Sequence, residues 1–150
     1  MQKIIVLIGP TGIGKTDLAL KLAPKINAEI ISGDSMQIYQ EVSIGTAKPT
    51  AEELRQVKHY FVNQRSIFEE YSAKDFVAEG TKAVNQIVAK GSIPLVVGGT
   101  GFYINALVNK LQLGEPGDYQ TSVDPKWEKY LKENGAEKLW QLLNEKDPDA

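Results

Sequence analysis

The 150-residue chain has no cysteine, one histidine, and only two arginines, Arg55 and Arg65, among its 17 basic residues. Without cysteine there can be neither disulfides nor thiolate metal sites, and the composition fits a reducing compartment. No segment is apolar for long enough to span a bilayer. Met1-Gln2-Lys3 runs directly into the first apolar stretch without a signal peptide, so a cytoplasmic protein with no membrane contact is expected. A formal net charge of −2 excludes whole-surface attraction to nucleic acid, and any such contact would need a local patch. What is present, 42% hydrophobic and 24% charged residues, describes an ordinary globular chain long enough for a real core. A monomer is expected.

Residues 9–16 read Gly9-Pro10-Thr11-Gly12-Ile13-Gly14-Lys15-Thr16, a complete G-x-x-x-x-G-K-[ST] phosphate loop. It follows the apolar run Ile4-Ile5-Val6-Leu7-Ile8, read as a buried parallel strand, and it opens an amphipathic segment from Thr16 to Ala23, read as a helix. Such a loop wraps an anion with backbone N–H donors, and its glycines permit an approach and dihedrals that side chains forbid. The positive end of the helix dipole faces the same anion. Lys15 then supplies a mobile charge to the outer phosphate, and the Thr16 hydroxyl is suited to hold Mg²⁺. The bare alternative is a glycine turn with no ligand; eight residues in register between a strand and a helix disfavour it. Which phosphorylated compound is held stays open.

Strand and helix patterns alternate along the chain, the signature of an α/β fold with a parallel sheet flanked by helices, as in P-loop NTPases. Glu29-Ile30-Ile31-Ser32 is the second strand, ending at Gly33-Asp34-Ser35. Thr50 and Glu53 form a capping box behind Pro49 for a short helix through Val57, and His59–Val62 is the third strand. Ser72 and Asp75 cap a longer helix with Phe76, Ala83, Val84, Ile87 and Val88 mainly on one face, stopped by Gly91. Ile93-Pro94-Leu95-Val96-Val97 is the most hydrophobic strand and so is placed centrally, followed by Gly98-Gly99-Thr100-Gly101 and a helix to about Asn109. Residues 1–111 form the P-loop core. From 112 the character changes: Leu113–Asp118 is linker-like, and two charged amphipathic helices follow Pro125, split at Asn134-Gly135. They carry more apolar surface than two short helices can bury alone, which marks 112–150 as the start of a helical subdomain inserted at the C-terminal end.

Two further absences narrow the chemistry. The central strand runs into Gly98-Gly99-Thr100 rather than a Mg²⁺-supporting aspartate, and the chain is nearly without the arginines that phosphoryl transfer uses. Asp34 is the carboxylate best placed to work, just past the C-terminal end of a parallel strand, at the edge from which the phosphate loop leaves. Its bland reading is an Asx turn or cap formed with Ser35. Gly98–Gly101 lies at the same edge, either as a plain turn or as amides and a hydroxyl brought near a diphosphate.

Gly9–Thr16, Asp34-Ser35-Met36-Gln37-Ile38-Tyr39, Gly45-Thr46-Ala47-Lys48-Pro49-Thr50, Tyr71-Ser72-Ala73 and Val97-Gly98-Gly99-Thr100-Gly101-Phe102-Tyr103-Ile104 occur in one order. In that order they resemble the tRNA dimethylallyltransferase (tRNA isopentenyltransferase) family over residues 1 to about 110, with weaker likeness through Asp147-Pro148. The resemblance implies transfer of a dimethylallyl group from dimethylallyl diphosphate to the exocyclic amine of the adenosine 3′ of the anticodon in tRNA. It implies Asp34 as general base, Gln37 on the adenine edge, and Ser35 and Met36 at the tRNA contact. It further implies Thr100 as a second catalytic residue, at the diphosphate and tRNA region, and Lys15 and Thr16 with Mg²⁺ at the leaving oxygen. An anticodon-loop base would have to be splayed out to enter.

The chain departs from the family at His59-Tyr60-Phe61-Val62-Asn63, where two histidines and an aspartate are usual, so His59 is read as a strand residue. Lys126-Trp127-Glu128-Lys129 stands where an arginine is usual, and a solvated helix face is the reading there. Family members also continue past the length seen here, so the chain resembles an N-terminal portion. Two alternatives stay open: a small-molecule P-loop kinase in which Asp34 orients a hydroxyl, and a non-catalytic phosphate-binding fragment.

Overall fold

Short apolar runs rich in Ile and Val alternate with capped amphipathic segments, and the chain folds accordingly into β1 (Ile5–Ile8), α1 (Lys15–Leu22), β2 (Ala28–Ser32), α2 (Ala51–Gln56), β3 (His59–Tyr60), α3 (Ala73–Ala89), β4 (Ile93–Gly98), α4 (Gly101–Val108) and α5 (Pro125–Lys146). A 3-10 turn, Ala23–Ile26, follows α1. The structure is a computed structural model that describes residues 3–109, 111 and 124–147. It divides into two compact units, Met1–Leu113 and Gly114–Ala150. The linker-like stretch Leu113–Asp118 and Pro148 lie outside the described residues.

The four strands form one parallel sheet in the order β1-β4-β2-β3, so the most apolar strand is internal. Register places Ile31 beside Val96 and Ile30 beside Leu95. Because side chains alternate across a strand, these two pairs serve opposite faces. Ile31 and Val96 pack with Phe76, Val84 and Ile87 of α3 and with Ile104 and Leu107 of α4. Ile30 and Leu95 pack with Ala19, Ala23 and Val57. Phe76 anchors the larger core, 1% exposed, with ring centroids 5.3 Å from Phe61 and 4.9 Å from Tyr103. Truncation of such a side chain to alanine costs about 3–5 kcal/mol.

Both expected capping boxes are present. Thr50 Oγ1 accepts from Glu53 N at 3.2 Å while Glu53 Oε2 accepts from Thr50 N at 2.6 Å, and Ser72 and Asp75 repeat the exchange at 3.2 and 2.9 Å. Gly91 closes α3 by donating to Val88 O at 2.9 Å. The third strand is shorter than expected, because Phe61 and Asn63 take left-handed backbone angles, φ 62° and 53°, which end it at Tyr60.

The first strand corrects the sequence reading. It is parallel, but not buried: Ile5 and Val6 are each 37% exposed and Ile8 is 56% exposed. Among the described residues β1 pairs only with β4, so it is an edge strand. The apolar run identifies a strand suited to cover on both faces without saying what supplies that cover. In the second unit, Gly135 (φ 80°, ψ 165°) breaks α5 into two helical segments at the expected point. No described residue of α5 is buried; Trp140 is 61% exposed, and Trp127, Leu139, Trp140, Leu142 and Leu143 line one apolar groove.

Candidate functional site

Parallel strands bring three turns to one sheet edge, the phosphate loop after β1, Gly33–Tyr39 after β2, and Gly98–Thr100 after β4. Gly98 sets their closeness. A Cβ on it would lie 2.4 Å from the carbonyl oxygen of Gly33, so only glycine lets β2 and β4 converge here.

In the phosphate loop Gly12 and Gly14 have φ 85° and 90°. The N–H groups of Gly12 and Gly14 have no backbone partner among the described residues, as an anion cradle requires. Gly14 caps α1, which begins at Lys15, one residue earlier than read. Lys15 is not a free arm: its Nζ donates to Gly9 O and to Pro10 O, each at 2.7 Å. The ammonium therefore closes the loop through two carbonyls that an entering anion would compete with.

The β2 turn is tied at every step. Asp34 Oδ1 accepts from Met36 N at 2.9 Å, the Asx turn of the bland reading. That bond engages one carboxylate oxygen and leaves the other with no partner among the described residues. Ser35 N donates to Thr100 Oγ1 at 3.2 Å, and Thr100 N donates to Gly33 O at 3.3 Å, so Thr100 fastens the β2 and β4 turns together. Gln37 Oε1 accepts from Ser32 Oγ at 2.9 Å, and its Nε2 donates to Thr46 O at 3.2 Å and Ala47 O at 3.1 Å.

These turns enclose one cavity of about 310 Å³. It brings Thr11, Gly12, Gly14, Lys15 and Thr16 together with Asp34 and Gln37, and its wall includes Val97 and Gly98. Gly9, Pro10, Ile13, Ser35, Met36 and Thr100 do not line it. Ser35 and Thr100 act from behind, holding the turn, and Met36 is 46% exposed at the surface beside Asp34.

Sequence reasoning missed Lys48, Asp17, Glu53 and His59, which also line the cavity. Lys48 stood inside a quoted motif, but no spacing rule marks a lysine in an irregular loop as cavity-facing. Its Nζ donates to Tyr39 O. Burial holds the ammonium below its ordinary value, against the pull of Glu41. His59 is a β3 residue, as read, and also half-buried in the wall. Its Nδ1 meets Val57 O at 2.8 Å, which makes Nδ1 the protonated nitrogen of the neutral ring. Burial pushes its pKa down, opposed by that bond and by Glu53.

Neither arginine lines the cavity. Arg65 pairs with Glu79 and Glu69 and lies over the Tyr71 ring, and burial beside Glu79 raises the Tyr71 hydroxyl far above its ordinary range. Among the described residues no cluster of three or more His, Asp or Glu could hold a metal alone. Thr16 and Asp17, at the start of α1, put a hydroxyl and a carboxylate on the cavity, hard oxygen donors of the kind Mg²⁺ takes together with phosphate and water. No helix among the described residues is long and apolar enough to cross a membrane.

A family model described as IPP transferase matches residues 37–150. The chain is 93% identical to a tRNA dimethylallyltransferase of Lactobacillus gasseri and 64% identical to one of Lactobacillus acidophilus, in each case over the whole chain and 49% of the relative. It thus spans about half the length of the curated relatives it matches. Among solved structures it resembles the full-length tRNA isopentenylpyrophosphate transferase of Bacillus halodurans, with 36% identity and a TM-score of 0.74 over 99% of this chain and 49% of that one. A eukaryotic dimethylallyltransferase captured acting on tRNA gives 34% identity and a TM-score of 0.78 over 99% of this chain and 37% of that one.

Proposed function

The chain belongs to the IPP transferase family, and from that premise we propose that it forms the donor-binding and acceptor-facing part of a tRNA dimethylallyltransferase. The observation that carries the reading is the shared cavity: a phosphate loop and a half-free carboxylate line one space. A loop built for diphosphate beside a base suits a reaction in which diphosphate leaves as a unit and an amine gives up a proton.

On this reading the backbone amides of Gly12, Ile13 and Gly14, the N-terminus of α1, and Lys15 hold the diphosphate of dimethylallyl diphosphate. Thr16 would hold Mg²⁺, which when bound adds charge stabilisation at the leaving oxygen. The allylic C–O bond breaks with its electron pair going to diphosphate. The exocyclic nitrogen of the adenosine beside the anticodon forms the new C–N bond, and the free oxygen of Asp34 takes the amine proton. Gln37 keeps one acceptor position on Oε1 for the second amine hydrogen. Exposed Met36 meets the anticodon loop, with Ser35 and Thr100 holding its turn from behind, and residues 112–150 begin a helical tRNA-binding subdomain. The proposal includes a monomeric enzyme of the cytoplasm.

The test joins the chain in frame to the second half of the Lactobacillus gasseri relative and supplies an anticodon stem-loop with labelled dimethylallyl diphosphate or γ-labelled ATP. Prenyl label on adenosine and no phosphorylated product is expected; phosphoryl transfer to a hydroxyl would establish the kinase reading instead. In the same protein Lys15→Ala should weaken diphosphate binding by about 1.5–3 kcal/mol, the cost of a charge-assisted hydrogen bond.

A further inference from the structure

The segment Gly45–Thr50 matches the family, yet the mechanism above gives it no role. We infer that it exists to present Lys48 as a second ligand of the diphosphate, and that Gln37 is the positioning residue that holds it there. The inference rests on the reading that the cavity takes a diphosphate.

Charge is the first argument. A diphosphate ester carries more negative charge than one ammonium can balance, and Lys15 and Lys48 are the cations that line the cavity among the described residues. They approach from different elements, Lys15 from the β1–α1 turn and Lys48 from the loop between β2 and α2, as a clamp on a two-phosphate anion needs. The present partner of Lys48 is the second. Its Nζ sits on the neutral carbonyl of Tyr39 rather than on a carboxylate. Exchanging a carbonyl for a phosphate oxygen converts an ordinary hydrogen bond into an ion-paired one without breaking a salt bridge.

The loop is also held under strain where Lys48 leaves it. Ala47, immediately before, has φ 48°, a left-handed conformation that is strained for a residue with a Cβ and persists only where its surroundings enforce it. Gln37 enforces it. Its amide is gripped by the hydroxyl of Ser32, itself 3% exposed at the end of β2, and both amide hydrogens go to the carbonyls of Thr46 and Ala47. Thr46 Oγ1 donates to Val42 O at 3.0 Å and closes the loop, and Pro49 disfavours helical backbone at Lys48. The sheet edge is thereby connected through one amide to the residue that aims Lys48.

Calorimetric titration of the chain with inorganic pyrophosphate and Mg²⁺ tests this. Lys48→Gln should weaken binding roughly 10- to 100-fold, the range of one charge-assisted contact, and Lys48→Arg should recover most of it. Gln37→Leu should weaken binding in the parent but add little in the Lys48→Gln background, because its effect passes through Lys48. A second measurement needs no variant: amine-reactive labelling read lysine by lysine should show pyrophosphate protecting Lys15 and Lys48 and no exposed lysine elsewhere. If pyrophosphate protects Lys15 alone, or Lys48→Gln binds as the parent does while Lys15→Ala has lost binding, Lys48 only staples its loop and the inference is overturned with the diphosphate reading intact. If the parent binds no pyrophosphate, both fall together.

Discussion

Two turns leave the same sheet edge a few residues past their strands, and they are built in opposite ways. The turn after β1 is under-bonded: glycines at φ 85° and 90°, loop amides without backbone partners, and one lysine looping back onto two carbonyls. The turn after β2 is over-determined, with an Asx bond at Asp34, a tie from Ser35 to Thr100, a bracket from Gln37 and a backbone contact that tolerates only Gly98. Unpaired amides in the first are ready donors for an anion. In the second a single carboxylate oxygen is left over, and everything else serves to fix where it points. Binding a diphosphate needs available donors; abstracting a proton needs one acceptor in one place.

Substitution can break the comparison at either turn. Gly98→Ala drives a Cβ into the Gly33 carbonyl and should cost about 3 kcal/mol of stability in urea denaturation, since backbone rather than a movable side chain is in the way. Gly12→Ala meets nothing within 4 Å and adds only left-handed strain, so it should cost about 1–2 kcal/mol while reducing pyrophosphate affinity. Equal losses at the two glycines would show that the turns do not differ as described. The smallest effect is a pH effect. His59 is held below its ordinary value, so the unfolded chain binds a proton that the folded chain refuses. Stability should therefore be full above the unfolded value of about 6.5 and decline as pH falls from there toward the folded value. Melting curves at pH 7.5 and 5.5 should show a smaller decline for His59→Gln than for the parent.

The helices, the strand types and the phosphate loop were legible because each is written locally: Thr50 with Glu53, Ser72 with Asp75, Gly91 after α3, and eight loop residues in register. What escaped depends on contacts across the fold. That β1 is an edge strand depends on its neighbours, which its own apolar residues do not encode. Lys15 read as a free arm because its carbonyl partners lie five and six residues back in an irregular loop. Gln37 read as a base-reading side chain, and its commitment to Thr46 and Ala47 becomes visible only once the 45–49 loop is folded over it. Lys48, Glu53 and His59 share a cavity through tertiary packing that no spacing announces.

The central claim is that Asp34 both shapes its turn and takes a proton, and Asp34→Asn separates the two. Asparagine keeps an oxygen for the Met36 N–H, so the Asx turn survives while the base is lost. The measurement is single-turnover transfer of labelled dimethylallyl to an anticodon stem-loop by the chain joined to its relative's second half, beside a melting curve. Turnover lower by roughly 10²–10⁴ with an unchanged melting point is the predicted result. Normal turnover would contradict the account and leave Asp34 as a turn residue alone.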